Sequence, residues 1–198
     1  MIALAMLSTV AFAGSDPIFD TFEGELRYGA GGGSVGAWTR ASHTWKKGAP
    51  ALRTGVALSY YTGSEDWEEA VATTEGRVSD VHLDLHFTPV FRPGRKDRLA
   101  IETGMYVGGY WFRSKGTWSQ PELGIEETYV TNAFLPDIGF RLAFGWRVAP
   151  GWTVQASLND SLRRVDGAQG VLGGLLTLDA DAKLSMGLGV TWRPGAAE

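Results

Sequence analysis

The chain contains no cysteine. That excludes a disulfide scaffold, a thiol nucleophile and a thiolate metal site. It also lacks a basic excess: 18 Lys and Arg stand against 22 Asp and Glu, for a net charge of −4 and a pI near 5.4. With no basic stripe either, the electrostatics give no case for a nucleic-acid partner. No apolar run reaches the roughly 20 residues that a transmembrane helix needs. Catalytic signatures are missing as well. Gly104-Met105-Tyr106-Val107-Gly108-Gly109 has neither the spacing of a dinucleotide loop nor a following helix. His43 is flanked by Ser42 and Thr44, but strand alternation puts it on the opposite face from both, with no acid beside it.

What is present points to β structure. The 198 residues include 27 Gly, aromatics reach 12%, and eight of these are Trp. That mixture suits an all-β chain with tight turns and interfacial aromatics. Residues 1–13, MIALAMLSTVAFA, carry no charge and end in Ala11-Phe12-Ala13 before Gly14. An apolar run closed by A-x-A reads as a secretory signal peptide, although the usual positive n-region is missing. The expectation is a removed segment 1–13 and a single domain over residues 14–198.

Period-2 alternation, the mark of a strand with one apolar and one polar face, recurs along the rest of the chain. It is longest from Leu176 to Trp192, where Leu, Ala, Met, Val and Trp alternate with Thr, Asp, Lys, Ser and Gly. Earlier segments fall at about 20–30, 35–46, 51–61, 77–91, 98–112, 128–148 and 152–159. Reading Asp179-Ala180-Asp181-Ala182 as a turn would give nine strands. The alternation keeps phase across it, so the count is eight, with Leu184–Trp192 as the apolar span and the preceding half as an outward extension. Short connections at 47–50, 92–97 and 149–151 lie at one end. Longer ones at 62–76, 113–127 and 160–170 lie at the other, with the short 31–34 as an exception. Even strand number and this asymmetry of turns are the pattern of an outer-membrane barrel. Aromatics form two clusters that fit interfacial girdles: Trp45, Phe91, Trp146, Trp152 and Trp192 near the short turns, and Tyr60, Tyr61, Tyr110, Trp111 and Phe112 near the long loops.

On these segments the chain resembles the small eight-stranded outer-membrane barrels of the OmpA and OmpX type, over about residues 20–193. The resemblance implies an all-β, antiparallel up-and-down transmembrane barrel in the bacterial outer membrane, with both termini periplasmic. It further implies contact with outer-membrane lipid and insertion by the barrel-assembly machinery. Such relatives usually end in an aromatic residue on the last strand, whereas here six residues follow Trp192. A monomer with a structural or surface-interaction role is the expectation. Eight strands leave an interior that side chains just fill, so no open diffusion pore is expected.

Alternation does not say which face points inward. The polar face carries charges of both signs beside small residues, a combination that can fill a narrow lumen. Its candidate members are Glu23, Glu25, Arg27, Arg40, Arg53, Asp80, His82, Asp84, His86, Glu102, Asp137, Arg141 and Lys183. Asp80, Asp84, Glu102 and Asp137 are expected to pair with the arginines and Lys183. The rival reading of the same face is a divalent-metal or acid/base site at His82, Asp84 and His86, which Glu102 could join. The network is preferred, and no metal, cofactor or catalytic residue is assigned. Two other functions stand beside the membrane barrel: a secreted soluble eight-stranded barrel binding a small apolar ligand, and, with less support, a lipid-modifying outer-membrane enzyme.

Overall fold

A computed structural model of the chain describes residues 18–29, 34–46, 50–69, 72–93, 98–163 and 181–194. Eight strands follow one another: β1 Thr21–Gly29, β2 Val35–Lys46, β3 Ala51–Glu69, β4 Ala72–Phe91, β5 Leu99–Gln120, β6 Ile125–Ala149, β7 Trp152–Arg163 and β8 Asp181–Trp192. Each pairs antiparallel with the next, and β1 pairs with β8 to close the barrel. The ladder of paired residues from Thr21 runs through Ser42, Gly55, His86, Tyr106, Gly139 and Ser161 to Lys183. Lys183 lies two residues beyond Ser185, the partner of Gly29. One circuit therefore advances ten residues along β1. A shear of this size on eight strands goes with a tilt in the usual range of roughly 35–45°.

Strand alternation separates two environments. Outward positions carry apolar side chains left open to the surroundings, such as Leu26 at 75% and Leu188 at 71% exposure. Inward positions bury polar and charged groups, Glu23, Asp137 and Arg141 among them at 1% each. A soluble barrel around an apolar ligand needs the reverse arrangement, so that alternative is not supported.

Two segments that read as loops in the sequence are strand. β3 and β4 stay paired from Thr62↔Ser79 to Glu69↔Ala72, and β5 and β6 from Arg113↔Asn132 to Gln120↔Ile125. The physical reason is that both faces of these ribbons are polar. The hydrophobic period therefore vanishes, while the backbone ladder and the β-favouring Thr, Val, Tyr and Trp persist. β6 also starts earlier, at Ile125, and β7 extends to Arg163.

Left-handed glycines make two of the connections: Gly151, φ 72°, in the β6–β7 turn, and Gly124, φ 64°, after the 3₁₀ turn Pro121–Leu123. The expected signal peptide, the tips at 30–33, 47–49 and 94–97, and the segment 164–180 lie outside the described residues. So does the Leu176–Ala180 part of the long final alternation.

Candidate functional site

The lumen is where the chemistry of the chain is concentrated. In the half nearer the short turns, three glutamates meet four arginines. Glu25, on β1, accepts hydrogen bonds from Arg27 Nε (2.9 Å), Arg141 Nη1 (3.0 Å), Gln155 Nε2 (2.8 Å) and Ser157 Oγ (3.0 Å), and Arg141 Nη2 also donates to it. Glu23 accepts from Arg40 at 2.7 Å and Arg53 at 3.2 Å. Glu102, across the barrel on β5, joins Arg40, Arg53 (3.4 Å) and Arg141 (3.3 Å). Thr88, on β4, accepts from Arg40 at 3.4 Å, and Thr191, on β8, donates to Gln155 at 2.8 Å. All eight strands thus contribute a side chain to this cluster, and it ties the ring across its diameter.

Trp38 is the apolar hub of the cluster. It is 1% exposed, with the guanidinium carbons of Arg27, Arg141 and Arg40 at 4.2, 4.5 and 5.5 Å from its ring. An indole face desolvated among cations is attractive to each of them. The alternation puts Trp38 on the polar face without giving it a role; its shared phase with Arg40 is the signal in the sequence that points to one.

The half nearer the long loops holds His82 and the aspartates. His82 Nδ1 lies 2.8 Å from Asp137 Oδ2, Nε2 lies 3.9 Å from Asp80, and Ser161 Oγ donates to Asp137 Oδ1 at 2.5 Å. The ring stacks on Tyr110 at 4.9 Å and takes the edge of Tyr61 at 5.3 Å. Arg27 joins the two halves by donating to Tyr61 Oη at 3.0 Å.

Several expectations about this face change. Asp80 and Asp137 lie with His82 instead of the arginines; Glu102 pairs with arginines as expected, and among the described residues Glu23 and Glu25 join it in that role. Among the described residues, the potential metal ligands that the fold brings together are His82, Asp84 and Asp137, with one atom of each within 4.8 Å of the others. His86 is not among them. It stacks on Tyr106 at 5.0 Å beside Trp38, and among the described residues neither of its nitrogens has a hydrogen-bond partner. The side chain of Lys183 lies outside the described residues, while its backbone pairs with Ser161.

Tyr110 is 3% exposed and faces the lumen, so it does not belong to the loop-end girdle. Inward positions on β5 are even-numbered, as for Glu102 and Tyr106, and Tyr110 shares that phase; its proximity in sequence to Trp111 is misleading. Tyr61, at 9%, is likewise inside. Outward aromatics include Trp45, Phe91, Trp146 and Trp152 near the short turns and Tyr28, Tyr60, Trp111 and Phe134 near the loops. Trp192 is half-buried against Phe22 and Trp152 at 5.7 and 6.1 Å.

Gly139 shows how tightly the wall packs: a side chain there would run into the Tyr106 ring and the Asp160 carbonyl, which Tyr106 Oη reaches at 3.2 Å. The Ser161–Asp137–His82 chain is not a hydrolytic relay. Its acid lies between the serine and the imidazole, whereas an activated serine needs the imidazole in the middle.

No family model and no curated protein matches the chain. Among solved structures it is similar to a major outer membrane protein from Thermus thermophilus, at 14% identity and TM-score 0.51, over 87% of this chain and 97% of that one. The fold is that of a small outer-membrane β-barrel. Ail of Yersinia pestis (14% identity, 87% and 93% covered, TM-score 0.41) also matches. So does the N-terminal barrel domain of Pseudomonas aeruginosa OprF (13%, 88% and 97%, TM-score 0.41). At these identities the likeness is one of fold.

Proposed function

We propose that this chain is a monomeric barrel of the bacterial outer membrane, plugged by its own side chains, whose β3–β6 ribbons serve as a binding surface outside the cell. The observation that carries the reading is an apolar belt between two aromatic rings. On β6, Phe134 and Trp146 bound a stretch whose outward residues are Pro136, Ile138, Phe140, Leu142 and Phe144. At about 3.3 Å per residue and a tilt of roughly 40°, that stretch is on the order of 30 Å tall, close to the apolar band of such barrels. Insertion would depend on the barrel-assembly machinery, and both ends of the strand sequence would lie in the periplasm.

The ribbons support the surface role. β6 pairs with β7 only from Gly139 onward, and β3 with β2 only up to Thr62. Beyond those points, among the described residues, the outer edges of β3 and β6 carry no partner strand. Open edges of this kind are templates for strand addition by a partner. The test is solubility and topology. The purified protein should need detergent and migrate faster on gels before heating than after. Protease added to intact cells should cut within residues 65–75. A protein monodisperse in buffer without detergent would end the membrane reading.

A further inference from the structure

The short-turn end of the barrel opens into a cavity of about 670 Å³. Its existence follows from residue size. Farther in, the inward positions carry Glu102 and Arg141; toward the mouth, β5 and β6 place Ala100, Ala143 and Gly145 at the same phase. The arginine cluster thus forms a floor, and the small residues above it leave space.

The lining is strongly one-signed. Arg53 contributes from the floor and Arg92, Arg98, Arg147 and Arg193 from the rim, against Glu102 as the one carboxylate among the described lining residues. Glu102 is already held by Arg40, Arg53 and Arg141. Arg193 is shared with Asp20 at 3.8 Å. Arg98 and Arg147 have no ion-pair partner among the described residues. A backbone hydrogen bond of 2.7 Å, from Arg147 N to Arg98 O, sets the two residues side by side. Trp146, Val148 and Trp152 complete the wall on the side of the apolar belt.

We infer that this mouth is a binding site for a phosphate-bearing ligand. Guanidinium groups converging on one space match phosphate oxygens in pairs, and a cavity of this size accepts a group as large as a glycerophosphate head. The arginines of the floor are already held by the barrel's own glutamates, so the anion answers the surplus charge of the rim. The Trp146–Trp152 wall offers an exit for an apolar tail beside the girdle. A phospholipid headgroup and a free soluble phosphate share the chemistry that the site recognises. The cavity stands on the barrel geometry alone, and the lipid source alone rests on the membrane reading.

The experiment titrates inorganic pyrophosphate into the folded full chain at low salt, following heat of binding and the amide shifts of residues 98, 147 and 151. Saturable binding is expected, at least tenfold weaker in the Arg98→Gln/Arg147→Gln double variant. Ala100→Phe keeps every arginine and fills the space; it should abolish binding while the unheated gel shift reports an intact barrel. A second arm repeats the titration in nanodiscs. Competition by phosphatidylglycerol but not phosphatidylcholine discs identifies a lipid headgroup, and equal binding in both identifies a soluble phosphate. Absence of saturable binding in the wild type, or unchanged binding in Ala100→Phe, overturns the site. Both results are independent of whether the barrel requires detergent.

Discussion

Replacing Glu25 by glutamine tests whether charge balance in the lumen sets the stability of the barrel. The cluster contains Arg27, Arg40, Arg53 and Arg141 against Glu23, Glu25 and Glu102, a surplus of one positive charge. Glu25→Gln raises the surplus to two and deprives Arg27 and Arg141 of their shared carboxylate. It also turns an amide N–H₂ toward a shell made of donors: Arg27, Arg141, Gln155 and Ser157. Breaking a buried ion pair from one side costs about 3–5 kcal/mol; Arg27 loses its carboxylate and Arg141 keeps only Glu102 at 3.3 Å and Glu23 at 3.7 Å, which puts this variant at the upper end, about 5 kcal/mol.

Arg141→Met is the control that uses the same pair. It brings the surplus to zero. Glu25 keeps Arg27, and Glu102 keeps Arg40 and Arg53. The expected cost is therefore the lower end, about 3 kcal/mol. The double variant restores the original surplus and should cost less than the sum of the two single changes, because the sites share partners. Equilibrium unfolding in urea of the folded barrel in micelles, followed by tryptophan fluorescence, measures all three. The reasoning fails if Glu25→Gln lies within about 1 kcal/mol of wild type, a shift typical of surface changes, or if Arg141→Met is the costlier variant.

The other predictions concern the wall, the hub and the mouth. Leu142→Arg places a charge in the apolar belt and should cost about 2–4 kcal/mol in unfolding experiments in lipid; an unchanged value would invert the assignment of faces. Trp38→Leu removes the ring shared by three guanidinium groups, and about 2–3 kcal/mol of stability is expected to go with it, read from the same urea midpoint. At the short-turn end, burial pushes the Asp20 carboxyl up, but hydrogen bonds from Thr21 (2.7 Å) and Thr44 (3.0 and 3.1 Å), with Arg193, hold it below the usual carboxylate range. A carboxylate depressed in the folded state stabilises above its unfolded pKa of about 3.9 and loses that stabilisation as pH falls through its folded value. Asp20→Asn should therefore show a shallower decline of stability below about pH 4 than wild type, and parallel pH profiles would show that the carboxylate is not contributing.

The strand count and the alternating faces are legible in the residues, because a period of two needs only local information. The same locality explains what misleads. The β3–β4 and β5–β6 ribbons have no apolar face outside the belt, so their strands carry no period to find. Tyr110 groups with its neighbour Trp111 by proximity, although adjacent strand residues point to opposite sides.

Most of the individual partners inside the lumen cannot be read from the chain. Glu25 meets Arg141 across 116 positions and Gln155 across 130. Those meetings depend on a register that advances ten residues per circuit, a property of ring closure carried by no single strand. Composition and alternation thus determined that this protein is a barrel with one charged and one apolar face. Closure decided the rest: Glu102 with the arginines, Asp137 with His82, Trp38 at the centre, and an arginine-lined space at the mouth. Which charges neutralise one another depends on distances across the lumen, and those exist only once the eighth strand has paired with the first.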